Sequence, residues 1–436
     1  MHCPEKYFDT FPRVVPANKV SRICIAPKFS NVAFPPADEI KLSLVSLSDH
    51  KSENAVRSFE LENGVLGAEV FFGNEQEHVL EVVIASQPAR KNSSFAHRLS
   101  GELKMRFRFY SVEDDLLKLT PLKGDFHAHT HLSDGNEAPE YDVCRYRQAG
   151  FDFMAITDHF VYEPSLQAAD YWKDLRTGFM IYPGEEVHLP DCNAHIVNFG
   201  GKASVNGAAK ADEAKYRQEV QDICRTLPEN GNTFSDGAAE WAFRKIKEFD
   251  GLSIFCHPYW EECFGYSIPE TLTDSIISRR SFDALEVVSG FYRHQWRSNA
   301  VQNARWHHEA VHGNPMPVVG ASDAHCFDGG ALFDWFYTLL FAGENSFESI
   351  REAVKANRSL AVLRNEGQFP VLTGDFRLVK YGTFLMDEYF PRYTELCRIE
   401  GDLMMEQLRG NAAAAEALKV LGTPAGEFRK MFFSRG

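Results

Sequence analysis

Apolar and polar residues alternate over the first 120 residues in the manner of short β-strands. Residues 103–109, Leu-Lys-Met-Arg-Phe-Arg-Phe, place an apolar side chain at every second position, which is typical of a strand with one buried face. Turn-forming pairs such as Asn63-Gly64 separate the runs. Strands are predicted at residues 22–26, 40–47, 56–61, 66–72, 79–85 and 103–112. Residues 1–120 are therefore expected to form an N-terminal antiparallel β-sandwich-like domain.

From about residue 121 short apolar runs alternate with stretches of helical periodicity. Strands are predicted at residues 124–127, 151–157, 180–183, 195–199, 252–256, 284–288, 317–320, 337–341 and 360–363. Helices are predicted at residues 138–149, 208–224, 238–249, 295–312 and 347–356. Repeated strand–helix units favour a parallel sheet, and this many of them suggest a closed or nearly closed barrel. We expect an α/β barrel over residues 121–370, with a polar insertion at about residues 202–236.

The last part of the chain, residues 371–436, has apolar residues at helical spacing. Helices are predicted at residues 378–390, 393–408 and 412–421. These residues are expected to form a C-terminal helical extension packed outside the barrel.

The composition is that of an ordinary soluble protein, since 44% of the 436 residues are hydrophobic and 25% are charged. A net charge of −15 argues against a nucleic-acid partner, although bound cations would still permit a small anionic substrate. No apolar run approaches the roughly 18 residues of a membrane span. The first residues also lack the organisation of a signal peptide. We therefore expect a cytoplasmic protein, and the nine scattered cysteines predict reduced thiols.

Five short segments, each at or just after an apolar run, concentrate the candidate chemistry. They are His127-Ala128-His129 with Ser133-Asp134-Gly135, Thr157-Asp158-His159, Gly184-Glu185-Glu186, His257-Pro258 and Ser322-Asp323-Ala324-His325, and His195 follows the third. The carboxyl ends of barrel strands meet on one face, so these side chains are expected to converge. Two histidines two residues apart on a strand share a face, and imidazoles with carboxylates suit Zn²⁺, Mn²⁺ or Fe²⁺.

These segments resemble the motifs of the PHP (polymerase and histidinol phosphatase) family of metal-dependent hydrolases. The resemblance covers about residues 122–365 and implies a distorted seven-stranded (β/α) barrel holding two or three divalent metal ions (Zn, Mn or Fe). By this resemblance one ion would be held by His127, His129, Glu186 and Asp323. A second would be held by Asp134, His159 and His325. A third would be held by His195 and His257, with Glu186 bridging to the first.

The reaction expected from the resemblance is cleavage of a small-molecule phosphate ester by attack of a metal-bridging hydroxide. Glu186, Asp323 and His257 are the expected catalytic residues of the chain itself. Several small phosphatases of the family carry an arginine shortly after the His-Pro pair, whereas this chain has Tyr259 and Trp260 there. Arg293 can supply the phosphate-binding cation instead, and it completes the predicted catalytic set.

The departure at Tyr259 and Trp260 leaves a second hydrolase open. A carbamate or carboxylester hydrolase would use the same multi-metal site, and an aromatic wall favours it. A nuclease is disfavoured by the acidic charge, and a binding or scaffold module is disfavoured by nine intact candidate ligands.

Three neighbouring residues are interpreted separately. His131 is expected outside the ligand set, in an orienting role. For His188 both a place in the pocket and an ordinary polar contact remain open. For Asp158 both an orienting carboxylate and a plain turn carboxylate remain open.

Overall fold

The structure is a computed structural model that describes residues 4–50, 54–84, 103–174, 176–228, 234–262, 265–290, 292–293, 296–328, 332–420 and 423–433. The chain divides into two compact units. The described residues of unit 1 lie within Met1–Leu119, Asp387–Tyr389 and Gly426–Gly436, and those of unit 2 lie within Thr120–Met386 and Phe390–Ala425. The predicted division into domains 1–120, 121–370 and 371–436 stays a prediction. Residues 229–233 of the predicted insertion lie outside the described part.

Unit 1 consists mainly of strands, and one short helix, α1 (Asp114–Leu117), follows them. Its strands are β1 (Phe8–Phe11), β2 (Val14–Pro16), β3 (Lys19–Pro27), β4 (Ile40–Ser46), β5 (Val56–Glu62), β6 (Val65–Phe72), β7 (Gln76–Ile84) and β8 (Leu103–Val112). They form two four-stranded sheets, with orders β1-β3-β6-β5 and β2-β8-β7-β4. All pairs are antiparallel except β2 and β8, which run parallel.

A single apolar core joins the two sheets of unit 1. Ile23, Leu66 and Val70 from one sheet and Leu80 and Phe107 from the other are buried in the same cluster. The alternation seen in the sequence of β8 appears in its burial, because its apolar side chains point inward and its basic ones outward. The sheets are therefore packed face to face, as a sandwich requires.

Unit 1 also includes Asp387–Tyr389, at the end of the C-terminal helix Phe376–Glu388. The side chains of these three residues contact other residues of unit 1. Asp387 accepts a hydrogen bond from Arg108 at 2.8 Å, and Glu388 accepts one from Arg13 at 2.7 Å. The ring of Tyr389 stacks on Phe428 with centroids 5.6 Å apart.

Unit 2 alternates strands with helices. Its strands are β9 (Thr120–Asp125), β10 (Phe153–Ala155), β11 (Met180–Tyr182), β12 (Gly184–Val187), β13 (Ile196–Phe199), β14 (Leu252–Phe255), β15 (Glu261–Glu262), β16 (Gly265–Tyr266), β17 (Ala284–Val288), β18 (Val318–Gly320), β19 (Phe336–Ala342), β20 (Ser359–Leu363) and β21 (Val371–Thr373). Its helices up to the tail are α2 (Pro139–Gln148), α3 (Glu163–Tyr171), α4 (Val205–Ala211), α5 (Glu213–Cys224), α6 (Phe234–Glu248), α7 (Glu270–Arg279), α8 (Trp296–Val311) and α9 (Phe347–Lys355). The tail contains α10 (Phe376–Glu388), α11 (Phe390–Leu408), α12 (Ala412–Val420) and α13 (Pro424–Phe432). The last two residues of α10 and most of α13, from Gly426 onwards, belong to unit 1.

The strands of unit 2 form two main sheets, with orders β11-β10-β9-β19-β20-β21 and β12-β13-β14-β17-β18. The class is mixed α/β, as predicted, but the expectation of a parallel sheet is wrong for part of it. Strands β12, β13 and β14 are antiparallel neighbours, and β19 runs antiparallel to both β9 and β20. The chain returns from β12 to β13 without a helix, so no parallel crossover forms there. Among the described residues of unit 2 the hydrogen-bonded strands form two main sheets and the small sheet β15-β16, rather than one closed barrel.

Two isolated bridges connect these sheets beyond the ends of their strands. Ala128 pairs with Ala324, and His159 pairs with Glu186, both in parallel. The segments that follow β9, β10 and β18 therefore meet beside β12. Most of the histidines singled out in the sequence lie where these segments meet.

A buried ion pair attaches the helical tail to the remainder of unit 2. Arg147 on α2 donates from Nε to Glu400 on α11 at 2.8 Å, and its other nitrogens donate to the carbonyl groups of Phe151 and Thr177. Tyr393 donates to Asp152 at 2.5 Å. Because the buried guanidinium is paired with a carboxylate and further satisfied by carbonyl groups, its desolvation is offset locally.

No helix in the described part of the chain is long and apolar enough to cross a membrane.

The buried His78 of unit 1 should make the stability of this unit pH-dependent. Its ring lies between the hydroxyls of Ser46 and Ser111, at 2.9 and 2.8 Å, and burial lowers its pKa to about 4. An unfolded histidine titrates near 6.5, so below that pH only the unfolded chain gains the proton. The contribution is complete above pH 6.5 and is lost as the pH falls towards 4. We expect a loss of about 2 kcal/mol between pH 7 and pH 5.

Hydrogen exchange of the β7 and β8 amides at both pH values would measure this effect, after correction for intrinsic rates. His78→Gln should remove most of the pH dependence. The exposed His50 provides the control, because His50→Asn should leave the dependence unchanged. An equal loss of protection in His78→Gln and in the wild type would contradict the assignment.

Candidate metal centre

The innermost part of the site is the pair His127 and His129, just after β9. Both side chains are inaccessible to solvent. Being two residues apart in extended backbone, they point to the same side. Nε2 of His127 lies 3.2 Å from Glu186 Oε2 and 3.4 Å from Asp323 Oδ1. Nε2 of His129 lies 3.3 and 3.1 Å from the same two oxygens.

Glu186 is the carboxylate on which most of the imidazoles converge. Its Oε2 faces His127, His129 and His159, with His159 Nδ1 at 2.9 Å. Its other oxygen, Oε1, faces three further imidazole nitrogens, from His195 (Nδ1, 2.8 Å), His188 (Nε2, 3.6 Å) and His257 (Nε2, 3.6 Å). One carboxylate thus has three imidazoles at each of its oxygens.

Asp323 reaches the same point through a strained turn after β18. Its φ is +48°, in the left-handed region that non-glycine residues seldom adopt. Two backbone hydrogen bonds hold this turn against the His127 segment, from Asp323 N to His127 O (3.0 Å) and from His129 N to Ala324 O (2.8 Å). Such strain is typical of functional sites, where the surrounding structure fixes it.

An outer group consists of Asp134, His159 and His325. Asp134 Oδ2 lies 3.5 Å from His159 Nε2, and its Oδ1 lies 3.3 Å from His325 Nε2. Asp134 has 54% of its side chain exposed, compared with 1% for Glu186, so the site opens on the side of Asp134. Gly135 must be a glycine here, because a Cβ would lie 2.4 Å from the carbonyl oxygen of His129.

The buried polar atoms of this cluster have the chemistry of a metal site. Nε2 of His127 and of His129, Nδ1 of His159 and of His195, and both oxygens of Glu186 are buried without a hydrogen-bond partner. Buried polar atoms are rarely left unpaired, since each would cost free energy of folding. Imidazole nitrogens around carboxylate oxygens form the donor set of Zn²⁺, Mn²⁺ or Fe²⁺, so the residues present fit divalent ions.

Four sets of these side chains have ligand atoms within 4.8 Å of one another. They are His129, Asp134, His159 and His325; His127, His129 and Asp323; His127, Glu186 and His257; and His159, Glu186 and His188. The structure thus brings together His127, His129, Asp134, His159, Glu186, His195, His257, Asp323 and His325, the nine predicted ligands. Their role as ligands stays a prediction.

The charges of the cluster shift the pKa values of its members in opposite directions. Burial disfavours charged His159, but Glu186 and Asp134 outweigh it and raise its pKa to about 10. Burial likewise opposes ionisation of Asp323, and the neighbouring imidazoles still lower its pKa. For His195 burial outweighs Glu186 and lowers the pKa to about 4. The carboxylates thus attract cations, and protons compete with metal ions for these positions.

The choice of Glu186 over Glu185 agrees with the geometry of β12. Neighbouring strand residues point to opposite faces, so Glu185 is directed away from the histidines. It accepts hydrogen bonds from Asn198, Ser204 and the backbone of Val205, at 3.1, 2.7 and 2.5 Å. Glu185 therefore anchors the start of α4, while Glu186 faces the site.

Glu286 on β17 is a site residue that the sequence reasoning missed. Its Oε2 lies 3.1 Å from His127 Nδ1, and its Oε1 accepts from the backbone N–H of His257 at 3.2 Å. A carboxylate only accepts, so Nδ1 of His127 carries the hydrogen and Nε2 is left free to bind an ion. The available signal was one acidic residue within the apolar run Ala284–Val288.

The three residues interpreted separately in the sequence, of which His188 and Asp158 were left open, have distinct places. Asp158 accepts hydrogen bonds from the backbone N–H and the hydroxyl of Thr130, both at 2.7 Å, and from Ser133 Oγ. Its carboxylate therefore stabilises the turn that leads to Asp134. His131 is exposed and lies 3.0 Å from the carbonyl oxygen of Glu137. His188 faces the cluster.

The predicted phosphate-binding residue Arg293 lies against other groups. Its guanidinium is 3.7 Å from Glu366 and 5.3 Å from the centre of the Trp335 ring, and 67% of its side chain is exposed. It lines a separate cavity of about 510 Å³ together with Asp334 and Arg364. The structure thus does not bring Arg293 to the histidines, because Trp335 and Glu366 hold it locally. Its catalytic role stays a prediction.

The two aromatic residues after the His-Pro pair behave differently. Trp260 packs against His257 and His195, with ring centroids 5.3 and 6.1 Å apart. Tyr259 is buried and accepts a hydrogen bond from Arg305 at 2.7 Å. Phe160, 63% exposed and 5.1 Å from His188, supplies the second aromatic ring at the site.

Solved structures that match the chain include three that are named for metal-dependent hydrolases or related enzymes. A two-domain protein from Bacteroides vulgatus, named as containing a predicted PHP-like metal-dependent phosphoesterase, is 19% identical with a TM-score of 0.42, and the match covers 61% of this chain and 70% of that one. The chain is thus similar to a PHP-like protein. That family is the one its motifs resemble.

Two further matches have lower scores. A protein from Bifidobacterium adolescentis, provisionally named a metal-dependent phosphoesterase, is 18% identical over 53% of this chain and 95% of its own, with a TM-score of 0.34. An amidohydrolase from Chromobacterium violaceum, with bound sulfate and no metal, is 17% identical over 48% of this chain and 89% of its own, with a TM-score of 0.31. No family model matches the chain, and no curated protein matches it.

Replacing the carboxylate of Glu286 should weaken metal binding without touching a ligand. In Glu286→Gln one of the two accepting oxygens becomes an NH2 donor, so the contacts with His127 and with the His257 N–H cannot both be kept, and we expect affinity to fall by about 10- to 100-fold. Competition with a chromophoric chelator would measure it. Glu262→Gln, in an exposed position of the His257 segment, should bind like the wild type. Unchanged affinity in Glu286→Gln would remove its orienting role.

Proposed function

We propose that this chain is a PHP-type metal-dependent hydrolase that cleaves a small-molecule phosphate ester. The observation that carries the proposal is Glu186, a buried carboxylate whose two oxygens face six imidazole nitrogens without a hydrogen bond. Only a cation, bound as metal ions or as protons, makes such a cluster stable. We further propose two or three divalent ions, and a distorted seven-stranded barrel as the scaffold.

Five of the predicted residues have a defined part in this proposal. Divalent ions held there would polarise a phosphoryl or carbonyl oxygen and lower the pKa of water. His127 and His129 form the closed inner wall of the site. Glu186 and Asp323 keep the imidazoles apart and carry the negative charge that attracts cations. Asp134 is the most exposed member of the set, so substrate is expected to approach on its side.

A phosphate ester suits the charge of this centre when ions are bound. Two or three divalent ions bring four to six positive charges to the three carboxylates of Asp134, Glu186 and Asp323. The loaded site is therefore cationic and would attract an anionic group, even in a chain of net charge −15. Phe160 and Trp260 then provide apolar contact for the rest of a small substrate.

The second candidate is a carbamate or carboxylester hydrolase on the same site. The position of Arg293 favours it, because this guanidinium lies against Trp335 and Glu366. The aromatic contact of Trp260 with His257 and His195 favours it as well. An uncharged ester or carbamate would need apolar walls more than a cationic side chain.

A panel of three aryl substrates separates the two candidates. Mn²⁺-loaded protein would be assayed with a phosphomonoester, a phosphodiester and a carboxylester. The Asp323→Ala variant removes the carboxylate nearest His129, so turnover of the true substrate class should fall by at least about 10²-fold. Asp328→Ala is the matched control, because this carboxylate is 83% exposed and follows His325 in the same loop.

The outcomes lead to different conclusions. Phosphate-ester turnover that Asp323→Ala abolishes would support the phosphoesterase. Carboxylester turnover alone would support the second candidate. Full turnover in an Asp323→Ala variant of normal metal content would contradict both.

A further inference from the structure

His188 directly follows β12, the strand that carries Glu186. The strand Gly184–Val187 is followed at once by His188, two residues after Glu186. Side chains two apart in a strand point to the same side, so His188 faces the site along with Glu186. Glu185, one residue before Glu186, points the other way, towards α4.

The antiparallel pairing of β12 with β13 places His188 beside His195. Val187 is paired with Ile196, so the next pair outward is His188 and His195. Their ring centroids are 4.2 Å apart, and the ring of His159 lies 4.3 Å from His188 on the other side. His188 therefore lies between two of the predicted ligands.

The nitrogen of His188 is aimed at the same oxygen as those of two predicted ligands. Its Nε2 lies 3.6 Å from Glu186 Oε1, the distance also found for His257 Nε2, and His195 Nδ1 lies at 2.8 Å. With metal–ligand bonds of about 2.0 to 2.2 Å, ligand atoms of one ion lie about 3 to 3.6 Å apart. Nε2 of His188 is also buried without a hydrogen-bond partner.

We propose that His188 is a tenth ligand of the centre and binds an ion together with Glu186 and His159, the set whose ligand atoms lie within 4.8 Å of one another. Two imidazoles and one carboxylate oxygen would then hold this ion. The inference rests on the proposed metal-dependent function and adds a ligand that the motifs do not contain. A site with two imidazoles favours Zn²⁺, Fe²⁺ or Co²⁺ over Mg²⁺, which prefers oxygen ligands.

The experiment is a metal titration of His188→Ala and the wild type, both freed of metal beforehand. Co²⁺ and Zn²⁺ would be titrated against a competing chelator, which gives the number of ions and the affinity of each step. In His188→Ala one step should weaken by about tenfold or more, or be lost, while the other steps stay unchanged. The visible spectrum of that Co²⁺ step should change too, because an imidazole is replaced by water.

Two further variants make the comparison specific. His131→Ala is the matched control, because this histidine is exposed and lies against the Glu137 carbonyl. It should titrate like the wild type. His159→Ala should weaken the same step as His188→Ala. Added imidazole should restore that step in His188→Ala, because the truncated side chain leaves room for it. His188→Gln, checked by circular dichroism, repeats the test if the alanine variant is misfolded.

The results distinguish this inference from the proposed function. A wild type that binds metal, together with a His188→Ala variant that binds it identically, overturns only the role of His188. An increase in KM with unchanged metal steps also overturns it, because His188 would then contact substrate. A wild type that binds no divalent ion overturns both.

Discussion

The carboxylate of Glu186 is the group on which the arrangement of unit 2 depends. A buried charge is costly unless opposite charge and hydrogen bonds surround it, yet its oxygens meet imidazole nitrogens without hydrogen bonds. Five segments supply the six imidazoles, since His127 and His129 share one, and each segment must place its nitrogen within reach of the carboxylate. The bridges His159–Glu186 and Ala128–Ala324 fix three of these segments against one another. The fold thus places the negative charge of a buried carboxylate where a bound cation would balance it.

Much of the fold could be predicted because the spacing of apolar residues along the chain indicates which side chains are buried. The predicted bounds of β8 and β17 are those of the structure, since one alternates strictly and the other is almost wholly apolar. Strands β1, β2, β12, β15, β16 and β21 were missed. The first two are very short, and the paired glutamates of Gly184–Val187 conceal a strand that is buried on both faces. Helices α1, α3, α7 and α13 were missed as well, and the predicted helix at residues 208–224 is interrupted at Asp212.

The candidate site was predictable wherever a residue belongs to a short motif. His127, His129, Asp323 and His325 occur in compact patterns whose spacing alone suggests metal chemistry. Glu286 and His188 stand alone in the sequence, and their roles follow from pairings between distant strands. The position of Arg293 could not be inferred either, because it depends on Trp335 and Glu366, more than 40 residues further along the chain. Local patterns therefore predicted the candidate ligands, whereas long-range contacts determine which other side chains lie beside them.

The predicted ligands of the centre are spread from His127 to His325, and this spacing would couple ion binding to folding. No fragment of the chain that ends before β18 contains the carboxylate of Asp323, so a complete centre would appear only after the segment from β9 to His325 has been synthesised and has folded. Each ion that binds only the folded state stabilises it by mass action, by about 2.7 kcal/mol at one hundred times its dissociation constant. Supply of metal would thus govern how long the protein survives in a cell, independently of any substrate.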